Sequence, residues 1–298
     1  MRKSVFTSPI SNRIKPFLYL LPALFFLFIF TYYPIIRAVY ISLFSWSTDY
    51  PQKVFNGLQN YVAIVKEPLF WKVIKNTFLY SISTIFFSMT LGLILAIQVN
   101  KRIKLGGLFK VSLFYPTLIP MAAAGLIWLW IYAPNYGLLD NFFRSIGLPN
   151  MGLLLRADTA LWCVAVVAIW KHVGYYMILF LAGLQNIPAE LLDVATLEGA
   201  GNWRKFRSVT FPLLSSYTFF IFIINIVNSL QAVDLIYIMT QGKPAHASNL
   251  FVYYIYQHAF RYWNMGMGST LTTILTLFLL CCVVAIFSTI GRKVYYEV

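Results

Sequence analysis

Six stretches of this chain each run for 20 residues or more with few charged side chains: 17–36, 77–99, 108–132, 159–184, 213–240 and 271–290. At 1.5 Å per residue, about 20 residues of helix cross a bilayer core of ~30 Å. Inside lipid every backbone N–H and C=O needs a partner within the protein, so long apolar runs become helices. A soluble chain carries about 25% charged residues; this one carries 11%, with 60% hydrophobic residues and a mean hydropathy of +0.72. A soluble fold would lack the polar surface to cover such a core. The expected fold class is all-α, a polytopic membrane protein of about six transmembrane helices.

The net charge of +14 does not point to nucleic acid, because the basic residues gather at the ends of the apolar runs, where they set orientation. With the N-terminus inside, the inner flanks hold 13 Lys and Arg: Arg2, Lys3, Arg13, Lys15, Lys101, Arg102, Lys104, Lys110, Arg204, Lys205, Arg207, Arg292 and Lys293. The outer flanks hold nine over longer segments. Both termini are therefore expected on the cytoplasmic side. No small-residue cleavage site follows the first run, so it reads as an uncleaved span. Cys163, Cys281 and Cys282 all fall in or beside apolar runs and read as small core residues.

Some spans carry features that bear on function. Pro116 and Pro120 interrupt the third run, and each removes a helix hydrogen bond, so a kink facing other helices is expected. In the fifth run Asn225, Asn228, Gln231 and Asp234 recur every three residues. Such a stripe faces either another helix or a polar cavity. If the stripe faces a cavity, Trp170, Tyr175 and Tyr217 are its accompanying stacking surfaces. Lys171, deep in the fourth run, is expected either to pair with Asp234 or to meet substrate. The segment 250–261 is amphipathic and rich in tyrosine, which suits a membrane interface. His172, His246 and His258 read as structural or interfacial rather than catalytic.

Between the fourth and fifth runs lies a polar island, 186–212. Asn186 and Asn202 are the expected caps of two short helices, with Pro188 early in the first. Glu190 and Asp193 fall in early turns, where a helix dipole favours acid. Gly199 and Gly201 tolerate positive φ and separate the two helices.

In this island Asp193-Val194-Ala195, then Gly199 after three intervening residues, then Val209-Thr210-Phe211-Pro212 after nine more, keep a known spacing. It resembles the EAA loop of ABC-importer permeases: EAA, three residues, Gly, nine residues, Ile-x-Leu-Pro. The departures are Asp for Glu, Val for Ala, and Val and Phe for Ile and Leu. Leu58-Gln59-Asn60-Tyr61, Leu181 to Pro188 and Met265 to Thr270 are also similar to the family, especially its carbohydrate and sn-glycerol-3-phosphate branch (maltose type, type I, MetI-like fold).

The resemblance implies a permease subunit and not an enzyme, moving a sugar or oligosaccharide, or alternatively sn-glycerol-3-phosphate or a related phosphodiester. Its implied ATPase-coupling residues are Glu190, Asp193, Ala195, Gly199, Arg204 and Pro212. The implied partners are a second homologous permease, a homodimeric ATPase that holds ATP and Mg, an extracytoplasmic binding protein and membrane lipid. The expected place is the cytoplasmic membrane of a bacterium or archaeon. The expected organisation is a tail at 1–15, a first helix and outer segment at 16–74, a core at 75–290 containing the loop 186–212, and a tail at 291–298. No GxxxxGK[ST], HExxH or Cys/His cluster occurs in the sequence, so no cofactor or catalytic residue is expected in this chain. An ion-coupled secondary transporter shares the kinked spans and buried polar groups, but has no use for an ATPase-docking loop.

Overall fold

The structure, a computed structural model, describes residues 9–49, 51–101, 106–149 and 151–289. The inner-flank charges Arg2, Lys3, Arg102, Lys104, Arg292 and Lys293 lie outside the described residues. Among the described residues five helices are long and apolar enough to cross a membrane core, and six if one bent pair counts as a span.

The chain divides into two compact units, 1–64 with 257–276, and 65–256 with 277–298. In the first unit, α1 (Pro9–Leu27) continues through a π-helical turn (Phe28–Tyr32) into α2 (Tyr33–Ser42). The most apolar 18-residue window within Phe17–Ser42 has no buried residue, whereas Ser42 at its end is fully buried. A two-stranded antiparallel hairpin follows, β1 (Phe44–Ser45) against β2 (Val54–Phe55), with Phe44 opposite Phe55. Asn60, at the start of α3 (Gln59–Lys66), donates from Nδ2 to the carbonyls of Ser42 and Phe44 at 2.9 and 3.0 Å. The Tyr61 hydroxyl meets Ser42 Oγ at 2.7 Å. Asn60 of the sequence motif thus ties off the carbonyls where the first span ends, and Tyr61 holds the Ser42 hydroxyl.

The second unit contains α4 (Pro68–Asn100), a 33-residue helix about 50 Å long, well beyond the bilayer core. The span expected from Thr77 therefore starts nine residues earlier, because Pro68 opens the helix at its first turn. The third span is not one kinked helix. It is α5 (Gly106–Leu118) and α6 (Met121–Ile131), bent by 98° at the intervening residues. Pro116 sits inside α5 and Pro120 at the cap of α6, so two missing donors fall within five residues.

Next come α7 (Leu138–Ser145) and α8 (Ala160–Gln185), the most buried span. Between them Arg156 holds the exposed Asp158 carboxyl below its usual range, chiefly through their hydrogen bonds at 2.8 and 3.1 Å. Then α9 (Ala189–Leu197), α10 (Asn202–Lys205), a π-helical turn (Phe206–Thr210) and α11 (Phe211–Leu213) form the polar island. The fifth span is α12 (Ser215–Leu230) and α13 (Val233–Met239), interrupted at Gln231 and Ala232. The chain then passes through α14 (Phe251–Tyr256) and a π-helical turn (Gln257–Arg261) to α15 (Met265–Thr289).

The expected interfacial segment at 250–261 is instead partly core. Leu250, Phe251, Tyr253 and Tyr254 are all at most 5% exposed. The Tyr254 hydroxyl donates to Glu67 at 2.8 Å, and the Phe251 N–H donates to Thr77 Oγ1 at 2.9 Å. Lys72 Nζ and Asn76 Nδ2, on α4, bind the carbonyls of Ala245, His246 and Asn249. The tyrosine pattern is the same for an interface and for a core whose hydroxyls find partners.

Candidate functional site

The polar island forms one shaped surface. α9 ends in a Schellman arrangement: the Ala200 N–H reaches the Ala195 carbonyl at 2.9 Å and the Gly199 N–H reaches Thr196 at 3.0 Å. Gly199 has φ +77°, as expected, whereas Gly201 has φ −67° and occupies the N-cap position of α10. The expected caps differ. Asn186 closes α8 at its C-terminus and its Nδ2 donates to the Tyr217 hydroxyl. Pro188 stands at the α9 N-cap, and Asn202 is the first residue inside α10. A side-chain amide serves either end of a helix, and the neighbouring Tyr217 decided this one.

Lys205 Nζ donates to Thr196 Oγ1 at 3.2 Å, joining α10 to α9. Ala195 is buried, while Glu190, Asp193, Gly199 and Arg204 are exposed. Leu191, Val194, Ala195, Glu198, Val209 and Pro212 line an open groove of about 400 Å³. The two ends of the sequence motif, Ala195 and Pro212, therefore meet in one groove. Leu197 and Trp203 project at 88% and 72% exposure, and Trp203 stacks on Phe206. Bare large apolar side chains, Leu197 beside Glu198 and Trp203 beside Arg204, make a surface suited to a partner protein.

The second site lies within the spans. Asn225 is buried and its Nδ2 donates to the Ile85 carbonyl at 3.4 Å; Asn228 Nδ2 donates to the Tyr176 hydroxyl at 3.2 Å. Both line a polar cavity of about 20 Å³ with Tyr80, Thr84, Ser88, His172 and Ser229. That volume holds one water and no sugar ring. Tyr80, Thr84 and Ser88 recur every four residues on α4, a polar stripe that the sequence displays as clearly as the one on α12.

The remaining named residues lie elsewhere. Gln231 caps the C-terminus of α12, and Asp234 occupies the first turn of α13; both are exposed in this chain. Trp170 packs edge-to-face on Trp128, and Tyr175 packs against Tyr176. Tyr217 lies against Gly183, at the end of α8 that joins the island. Among the described residues no ion pair joins Lys171 to Asp234. Lys171 Nζ donates instead to the carbonyls of Pro116, Thr117 and Ile119.

Residues 88–292 match the family model for binding-protein-dependent transport system inner membrane component. The chain is 35% identical over 267 residues to a probable ABC transporter permease protein, YurN, of Bacillus subtilis, covering 88% of this chain and 91% of that protein. It is 30% identical to the sn-glycerol-3-phosphate transport system permease protein UgpA of Agrobacterium fabrum, over 96% of this chain and 97% of the relative. It is also similar in fold to a chain of a bacterial alginate ABC transporter solved with an alginate pentasaccharide-bound periplasmic protein. That match has TM-score 0.84 and 19% identity, and covers 98% of this chain and 100% of the other.

Proposed function

The chain belongs to the inner-membrane components of binding-protein-dependent transport systems, and on that premise we propose that its polar island is the surface through which a separate ATPase drives it. It is a multi-pass membrane permease of the ABC-importer type and not itself an enzyme. The cargo proposed is a sugar or oligosaccharide delivered by an extracytoplasmic binding protein. The likeness to the glycerol-phosphate permease supports sn-glycerol-3-phosphate as the second reading.

The observation that carries the proposal is the groove holding both Ala195 and Pro212, on an island that also bares Leu197 and Trp203. A partner ATPase dimer, holding ATP and Mg, closes on nucleotide and pushes α9. Because α9 ends in a hydrogen-bonded turn and is tied to α10 by Lys205, the push moves the island as a piece. The spans then pass from inward- to outward-facing, and only a difference in ATPase affinity for the two states shifts that equilibrium. A second, homologous permease completes the pathway, with the island and both termini on the cytoplasmic side. The cavity at Asn225 and Asn228 is closed to a sugar in this structure, so cargo meets these amides only after the surrounding helices part.

The test is co-expression with the ATPase, second permease and binding protein encoded beside it, followed by reconstitution. ATPase activity stimulated by a liganded binding protein supports the proposal. Uptake driven by an ion gradient without any ATPase would overturn it. Screening the binding protein against sugars and glycerol phosphates separates the two cargo readings.

A further inference from the structure

Lys171 is 6% exposed near the middle of α8. A charge at such depth is costly unless it faces a partner. Its ammonium carries three N–H donors, and three carbonyls receive them: Pro116 at 3.3 Å, Thr117 at 3.0 Å and Ile119 at 2.5 Å. These carbonyls sit at the break between α5 and α6. Pro120 has no N–H to offer the Pro116 carbonyl, which takes the Ile119 N–H at 3.3 Å instead, and the 98° bend carries the Met121 N–H away from Thr117. The last carbonyls of a helix are also the negative end of its dipole, so a cation placed there is favoured even without a carboxylate.

Two further contacts hold the ammonium in reach. Thr117 Oγ1 donates back to the Lys171 carbonyl at 3.0 Å. One turn along α8, Gly174 lies so close to α5 that a Cβ there would fall 2.0 Å from the Leu113 carbonyl oxygen. Beyond the break, Met121 lines the polar cavity of Asn225 and Asn228, and Gly125 packs on Ile238 of α13.

We infer that Lys171 is a positioning residue: from the neighbouring helix it caps the C-terminus of α5, and so sets the angle at which α6 enters the cavity wall. Its donors are consumed by the backbone, which leaves none for cargo. This reading rests on the geometry of the break and is independent of what the protein transports.

The test is a distance measurement on the full-length chain in lipid nanodiscs. Val111→Cys and Leu126→Cys, both on exposed positions of α5 and α6, carry spin labels in a background without Cys163, Cys281 and Cys282. Pulsed dipolar spectroscopy should give one narrow distance for the parent. Lys171→Met should broaden or shift it, and Lys171→Arg should restore it. In the reconstituted transporter, Lys171→Met should lower kcat by about tenfold or more with KM within about twofold, since capping acts on the protein and not on bound cargo. An unchanged distance distribution in Lys171→Met overturns the inference, as does a rise in KM alone for an anionic substrate. Should Lys171→Met fail to insert, Lys171→Gln and Thr117→Val take its place; narrow, parent-like distances in both overturn it equally.

Discussion

Gly174 on α8 and Leu113 on α5 are in backbone contact: a Cβ on Gly174 would sit 2.0 Å from the Leu113 carbonyl oxygen and 2.9 Å from Phe114 Cα. The obstructing atoms are main chain, so no side-chain rotation relieves the clash. Helices in membranes gain little from hydrophobic burial against each other and depend on close packing at small residues. Gly174→Ala should therefore destabilise the protein by about 2 kcal/mol or more, seen as a lower melting temperature in detergent. Gly107→Ala, where nothing lies within 4 Å, is the control. Equal melting for both would show that the contact is not as tight as described.

Gly199 tests the island. Its φ of +77° strains any residue with a Cβ by about 1 kcal/mol, while no atom lies within 4 Å of the added carbon. Gly199→Glu should leave the chain inserted and folded, yet weaken ATPase association and abolish coupled transport. The readout is co-purification of the ATPase together with uptake. Retention of both would remove the island from the docking surface.

Asn60 tests the end of the first span. Its amide serves two carbonyls and is 8% exposed. Asn60→Ala leaves both without that donor, which should cost about 2 kcal/mol and raise protease sensitivity across 43–58. Asn60→Asp should behave similarly, since a carboxylate cannot donate. Parent-like digestion of both variants would contradict this role.

Topology has its own assay. Reporter fusions at residue 298 and within 241–268 should report opposite sides of the membrane, the first cytoplasmic. Equal signals would rule out the six-span arrangement, which needs one crossing between the two positions.

Some of this was legible without coordinates because it is local. The apolar length of Ala160–Gln185 or Met265–Thr289 reports a span whatever its neighbours are, and Gly199 breaks a helix through its own φ. The spacing from Asp193 to Pro212 identified the family for the same reason, as positions along a chain need no fold to be counted. Where the residues alone did not suffice, two partners competed for one group. Asn186 could cap a helix start or reach Tyr217. The tyrosines of 250–261 suited an interface or a core.

Lys171 marks the boundary most clearly. The sequence by itself determined that a cation lies deep in the fourth span and that Pro120 brings no N–H to the carbonyl four residues before it in the third. It could not determine that the two needs answer each other. Only the tertiary structure decided that, by packing Gly174 against the α5 backbone and bringing the ammonium within 3.3 Å of all three carbonyls. The physical reason is range: helix formation and breaking are set within a few residues, whereas the partner of a buried charge is set by which helix lies beside it.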